Sequence, residues 1–298
     1  MRTVLERLPQ RARVAVIRLR SLGDCVLTTP ALALLKQARP DLRIAVAVEP
    51  RFAAVFENNP HVEAVLDPEV SRVRRWRPDL CVNFHGGARS AILTALSGAA
   101  WRAGFGHYRF RWLYNARIPR AQEILGVERV VHTVEHLASA MFFLGVQPGE
   151  IPRARLEPTA GPRGSVVVIH PFASRPDKTW PASRFVEAAE KLDLDPVIVG
   201  GPDDDFAPFR RFRCEIGRPL REAIATIARA ALFLGNDSGP AHIAAACGVP
   251  VVVLFGSSDP RVWGPWRTAS EALSGPQGIG SIEVARVLEA IARLRVPA

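Results

Sequence analysis

Asp24 closes the stretch Arg18-Leu19-Arg20-Ser21-Leu22-Gly23-Asp24, which lies between an apolar run and a helical pattern. A carboxylate placed there can take a proton from a substrate hydroxyl. It can equally be a helix cap, a structural role worth about 1 kcal/mol. The stretch His170 to Pro181 (HPFASRPDKTWP) also follows an apolar run, and in it Ser174, Lys178 and Thr179 could all reach a phosphate. Lys178 would act as a point charge, in a chain whose other lysines are only Lys36 and Lys191. The alternative is a polar loop stapled by Trp180. In Gly235-Asn236-Asp237-Ser238-Gly239-Pro240-Ala241-His242, Asp237 or Ser238 can cap a helix that has Pro240 in its first turn. Gly239 lets another molecule approach the backbone, and the helix terminus suits an anion. His242 stands one turn in. An ordinary strand–turn–helix corner would read the same way.

Two further clusters are weaker. Asp203 follows Gly200-Gly201-Pro202, where an acid can bind a ribose diol. Asp203, Asp204 and Asp205 are consecutive, so they cannot all point at one metal ion without unusual backbone geometry. His132 and His136 in HTVEH share a helical face, but Glu135 adjoins the second histidine, so the pattern departs from HExxH and reads as a helix start. GxGxxG, Walker A and GxSxG motifs are absent, and Cys25, Cys81, Cys214 and Cys247 are scattered without a CxxC.

These residues need strands and helices to hold them. Apolar runs predict strands over 13–19, 42–48, 62–66 and 80–84, with helices over 26–38, near 52–58, from Ala88, and over 133–144. The Pro- and Gly-rich stretch 147–164 then breaks the pattern. A second series follows, with strands over 166–170, 196–199, 231–234 and 251–255 and helices over 182–192, 220–230, 240–247 and 282–294. The pattern predicts an α/β protein of two doubly wound domains facing a cleft, 1–150 and 165–298, joined by a linker at 151–164. The last helix is free to return to the N-terminal domain. Ligands in such sheets bind beyond the carboxyl ends of the strands.

Composition narrows the function classes. At 298 residues and 48% apolar the chain is an ordinary globular one, and no apolar stretch approaches the roughly 20 residues of a membrane span. The N-terminus lacks the order of a signal peptide, so a cytoplasmic location is expected. The net charge of +10 favours anionic partners. Arginines are densest over 72–77 and 102–120, and the latter segment interleaves them with aromatics. That mixture fits single-stranded nucleic acid, an anionic membrane surface, a phosphorylated acceptor, or simply a solvated loop.

SLGD in the first turn, HPFASRPDKTW opening the second half, GGPDD after the 196–199 run, GNDSGPAH near the end and the HTVEHLASAMFFLGV helix together resemble glycosyltransferase family 9, the ADP-heptose:lipopolysaccharide heptosyltransferases. The resemblance spans nearly the whole chain. It implies the GT-B fold, two Rossmann-like domains with the donor held mainly by the C-terminal one. It implies Asp24 as the base of an inverting sugar transfer. Lys178 and the nearby Ser174 would contact donor phosphate, beside Thr179 from the loop reading above, Asp203 the adenosine ribose, and Asp237, Ser238, Gly239 and His242 the pyrophosphate and donor sugar. Arg18, Arg20 and the 102–120 segment would meet an anionic lipid-linked glycan, with peripheral contact at the inner membrane and no nucleic acid. Neither a metal nor another cofactor is implied. Closure of the domains would exclude water from the activated donor. Arg20-Ser21 stands where many members carry two small polar residues. Two other functions fit the residues: a GT-B enzyme using a different nucleotide-sugar, or a non-catalytic basic α/β binding module.

Overall fold

The short apolar runs become parallel strands because each is covered on both faces, which is why they lack the alternation of half-exposed strands. Val251–Phe255, for example, is buried at every position. The computed structural model describes residues 2–159 and 161–295. They form two compact units, Met1–Pro152 and Arg153–Ala298.

The first unit carries β1 (Arg13–Ile17), β2 (Arg43–Ala47), β3 (Ala64–Leu66), β4 (Leu80–Asn83), β5 (Trp101–Phe105) and β6 (Ala116–Ile118), in the order β3-β2-β1-β4-β5-β6. The second carries β7 (Val166–His170), β8 (Asp195–Gly200), β9 (Arg213–Ile216), β10 (Leu232–Asn236), β11 (Val251–Phe255) and β12 (Ser270–Ser274), in the order β12-β11-β10-β7-β8-β9. All neighbours in both sheets are parallel. Each is therefore a doubly wound sheet of Rossmann order, giving the two Rossmann-like domains that the resemblance implies. The order reverses between β1 and β4 in one sheet and between β7 and β10 in the other, so the loops after those strands flank the natural ligand positions.

Four strands escape the apolar-run pattern. β5 and β6 fall in or beside the arginine-rich segment 102–120, where the apolar pattern predicts no strand, while β9 and β12 are part-exposed edge strands that carry Arg213, Glu215 and Glu271. Edge strands need only one covered side, so their sequences stay polar. The helix expected from Val26 begins at Leu22, which brings Asp24 inside its first turn, and the one expected near 52–58 is a 3-10 helix, Pro50–Val55.

The stretch expected as a free linker packs on the second unit: Ala154 and Leu156 are buried, and Arg153 donates to the Ala246 carbonyl at 3.0 Å. The last helix, Val284–Arg295, buries Val284, Val287, Ala290 and Ile291 in one cluster with Trp180, Phe185, Val252 and Leu254. Its apolar face thus belongs to the second unit's core, where the sequence left a return to the first domain open.

Candidate active site

In the first unit, Ser21 precedes the helix Leu22–Ala38 and Asp24 occupies its third position. The Ser21 amide and hydroxyl both donate to Asp24 Oδ2, at 3.3 and 3.0 Å. Asp24 is therefore the reciprocal member of a cap rather than the cap itself. Its other oxygen, Oδ1, lies 3.4 Å from Arg18 Nη1, and its side chain keeps 24% of its surface exposed. One carboxylate thus does both jobs the sequence left open: it is tied to the helix start and still reachable from solvent.

Arg18 is not a surface contact. Only 6% exposed, it donates from Nε to Thr28 Oγ1 at 3.2 Å and turns its remaining charge on Asp24. It could not meet a bulky acceptor without leaving that pocket. Arg20, by contrast, is exposed.

Asn83, the last residue of β4, shapes the other side of the switch point. Its Oδ1 accepts from the amides of His85 and Gly86 at 2.9 and 3.0 Å, and its Nδ2 donates to Tyr114 Oη and Ser90 Oγ. The His85 ring bonds to the Arg20 backbone, and burial, with Arg18 nearby, lowers its pKa. A neutral imidazole thus braces the loop leading to Asp24.

The second unit repeats the device. Asn236 ends β10, wholly buried, and spans the 171–180 loop. It donates to the Pro171 carbonyl at 2.8 Å and accepts from the Trp180 amide at 3.0 Å. Trp180 is fixed again by its indole N–H on the Ile282 carbonyl at 2.9 Å. Lys178, held within that loop, places Nζ 3.0 Å from Asp237 Oδ2, and the Ser258 hydroxyl donates to the same oxygen.

Neither residue expected to cap the helix Gly239–Ala246 does so. Asp237 is engaged by Lys178 and Ser258, and the Ser238 hydroxyl shares a 3.2 Å hydrogen bond with His170 Nδ1. Burial lowers the His170 pKa to about 4, so its ring is neutral. Pro240 has no N–H, and the Ala241 amide turns back to the Ser238 carbonyl at 3.2 Å. The amides of Ser238 and Gly239 are left to point from a helix start that no side chain closes, with an ammonium beside it. This is a site for an anion.

The other predicted residues divide. Ser174 is exposed on the loop, and the Thr179 hydroxyl donates to the Arg175 carbonyl at 2.9 Å. His242 is buried in the helix's first turns. Asp203 is exposed at the tip of its turn, whereas Asp204 accepts from the Gly201 amide at 2.7 Å and Asp205 from that of Ala207 at 2.9 Å. The three aspartates thus build a turn and offer one free acid, Asp203. In HTVEH, His132 Nδ1 accepts the Val134 amide and Glu135 accepts that of His132, while His136 stacks on Phe105 at 4.0 Å. The two rings serve a cap and a core. Among the described residues, no three His, Cys, Asp or Glu side chains gather as a metal group would. Burial pushes the Cys25, Cys81 and Cys247 thiols up to about 12, which makes them inert.

Sequence reasoning missed Asn83, Asn236, His85, Ser258 and Gly256. A Cβ at Gly256 would fall 3.0 Å from Lys178 Cα and closer still to the Asp177 carbonyl, so this glycine lets the loop after β11 touch the Lys178 loop. The signal was small: FGSSD follows an apolar run at a strand's carboxyl end, as the other motifs do.

The family model described as glycosyltransferase family 9 (heptosyltransferase) matches residues 70–281. The chain is similar to lipopolysaccharide heptosyltransferase 3 of Escherichia coli, 28% identical over 287 residues covering 82% of this chain and 83% of that one. Its fold is similar to a glycosyl transferase family 9 structure from Veillonella parvula DSM 2008 (TM-score 0.83, 22% identity, 96% and 97% covered). It is also similar to E. coli ADP-heptose lps heptosyltransferase II (TM-score 0.80, 21% identity, 95% and 98% covered).

Proposed function

Since this chain belongs to glycosyltransferase family 9, we propose that it moves a heptose from ADP-heptose to a sugar hydroxyl of a lipopolysaccharide inner-core acceptor, inverting the anomeric centre. The reading is carried by the diverted capping residues: Asp237 and Ser238 leave the helix start at Gly239 open, and Asp237 holds Lys178 beside it. That arrangement suits a pyrophosphate.

Asp24 takes the proton from the acceptor hydroxyl. The oxygen attacks the anomeric carbon opposite the bond to phosphate, the glycosidic bond forms and ADP departs with the bonding pair. Lys178 and the amides of Ser238 and Gly239 offset the charge on the departing ADP. Asp237 orients Lys178 rather than meeting the pyrophosphate itself, since two anions would repel. Asp203 binds the ribose hydroxyls, His242 backs the donor-sugar side, and Ser174 and Thr179 add phosphate contacts. Arg18 positions Asp24, and the exposed Arg20 faces the acceptor. No cofactor is assigned to the reaction, and no described helix is long and apolar enough to cross a membrane. We place the enzyme in the cytoplasm, where nucleotide-sugars are made.

Asp24→Asn keeps the shape and removes the base. It should lower transfer by roughly 10²–10⁴-fold while ADP binding, read by calorimetry, is retained. Full activity in that variant overturns the base assignment. A panel of ADP-, UDP-, GDP- and CMP-sugars in a thermal-shift assay tests the donor, because a ligand bound only by the folded state raises Tm. A response to UDP-sugars without one to ADP-sugars would exclude the heptose reading and favour another nucleotide-sugar.

A further inference from the structure

We propose that the outer face made by the helix Ala88–Ala95 and the short turn Arg111–Leu113 docks this protein on an anionic lipid bilayer. The two elements pack against each other. They present Ile92, Leu96 and Trp112 at 53%, 51% and 67% exposure, three of the few large apolar side chains the protein leaves in solvent. The turn is pinned from beneath: Arg102 Nε donates to the Leu113 carbonyl at 3.2 Å and Asn115 Nδ2 to the Ala100 carbonyl at 2.8 Å. Trp112 therefore projects from a fixed backbone rather than a frayed one.

Charge selects the occupant. Between Leu80 and Gln122 the chain has six arginines and no acid. Arg109, Arg111 and Arg117 are exposed, and among the described residues none of them is in an ion pair. Several arginines elsewhere have a nearby acid to pair with, as Arg129 has in Glu135 and Arg261 in Asp259, whereas this stretch of the chain supplies none. An apolar patch with an indole at its centre and unmatched guanidinium groups around it fits the interfacial zone of a bilayer with acidic headgroups. A second copy would bring the same arginines against these and be repelled. Single-stranded nucleic acid would use Trp112 for stacking but leave Ile92 and Leu96 without a role.

Arg102 and Ala100 stand at the start of β5, so the patch lies beside the strands' amino ends while Asp24 lies at their carboxyl ends. Docking would therefore leave the candidate active site uncovered. The inference does not depend on which sugar is transferred.

Flotation of the full chain with vesicles tests it, using about one part phosphatidylglycerol to three of phosphatidylcholine against phosphatidylcholine alone. Binding should require the acidic lipid and weaken as salt is raised. Each arginine near such a surface is worth about fivefold in partitioning, so Arg109→Ser/Arg111→Ser should lose about 25-fold. Trp112→Ser and Ile92→Ser/Leu96→Ser should each lose binding with Tm held, since these side chains are exposed. Equal binding to neutral vesicles overturns the proposal, as does binding indifferent to Trp112→Ser. So does a patch whose variants abolish self-association or oligonucleotide binding while vesicles are never bound.

Discussion

Asn236→Ala tests whether one buried amide holds the Lys178 loop in place. Asn236 is fully buried and bonds both ends of the loop, the Pro171 carbonyl at 2.8 Å and the Trp180 amide at 3.0 Å. Both partners are themselves buried, so truncation strands an acceptor and a donor away from water. Each stranded group costs about 1–3 kcal/mol, so the variant should lose about 2–6 kcal/mol. For a unit of this size that is about 3 °C per kcal/mol, a fall in Tm of roughly 6–18 °C by calorimetry. Function should suffer too. If the loop drifts by about 1 Å, kcat/KM for the donor should fall by about 100-fold. Asn236→Asp keeps the acceptor for Trp180 and sets a carboxylate against the Pro171 carbonyl, so it should be impaired as well. The reasoning fails if Asn236→Ala melts within 2 °C (about 1 kcal/mol) of the wild type. It fails equally if the variant is destabilised yet binds ADP and transfers sugar normally, because the loop would then not depend on this clamp.

Gly256→Ala should act on the same loop from the other side, since a methyl there cannot coexist with the Asp177 carbonyl; kcat/KM for the donor should fall about 100-fold, whereas Gly280→Ala, which meets open space, should be neutral. Arg18→Gln removes the cation beside Asp24 while leaving the donor contacts alone, so kcat should drop about tenfold with the donor KM unchanged; a change confined to KM would show that Arg18 binds rather than positions. Burial lowers the pKa of His170 and of His136 to about 4. Both stay neutral when folded but take up a proton when unfolded, so stability should be full above pH 6.5 and decline as pH falls toward 4. Each costs on the order of 3 kcal/mol of stability across that window. Melting curves between pH 7.5 and 4.5 check this, and His170→Gln should flatten the dependence.

The motifs around Asp24, Lys178 and Asp237 were visible in the sequence because each follows a short apolar run and precedes a helix pattern. Buried parallel strands and glycine-rich turns leave that local signature. The helix over 133–144 was legible for the same reason, its apolar period ending at Gly145. β5, β6, β9 and β12 were not, because part-exposed strands carry charged residues that break an apolar run. The part played by Asn236 was also hidden, although it stands inside the most informative motif. An asparagine after glycine reads as a turn residue, and its partner Pro171 is 65 positions away.

By itself the sequence determined that two α/β series follow one another and that their polar groups cluster at strand ends. Those features depend on residue spacing within one element, where period and punctuation act. The tertiary structure decided which of these loops meet. Strand order brings the loop after β7 beside those after β10 and β11, so that Lys178 and Ser258 donate to one oxygen of Asp237. Packing also turned Arg18 inward, from an expected acceptor contact to a partner of Asp24. A side chain's partner is set by which crossovers place which strands together, and no window of neighbouring residues carries that information.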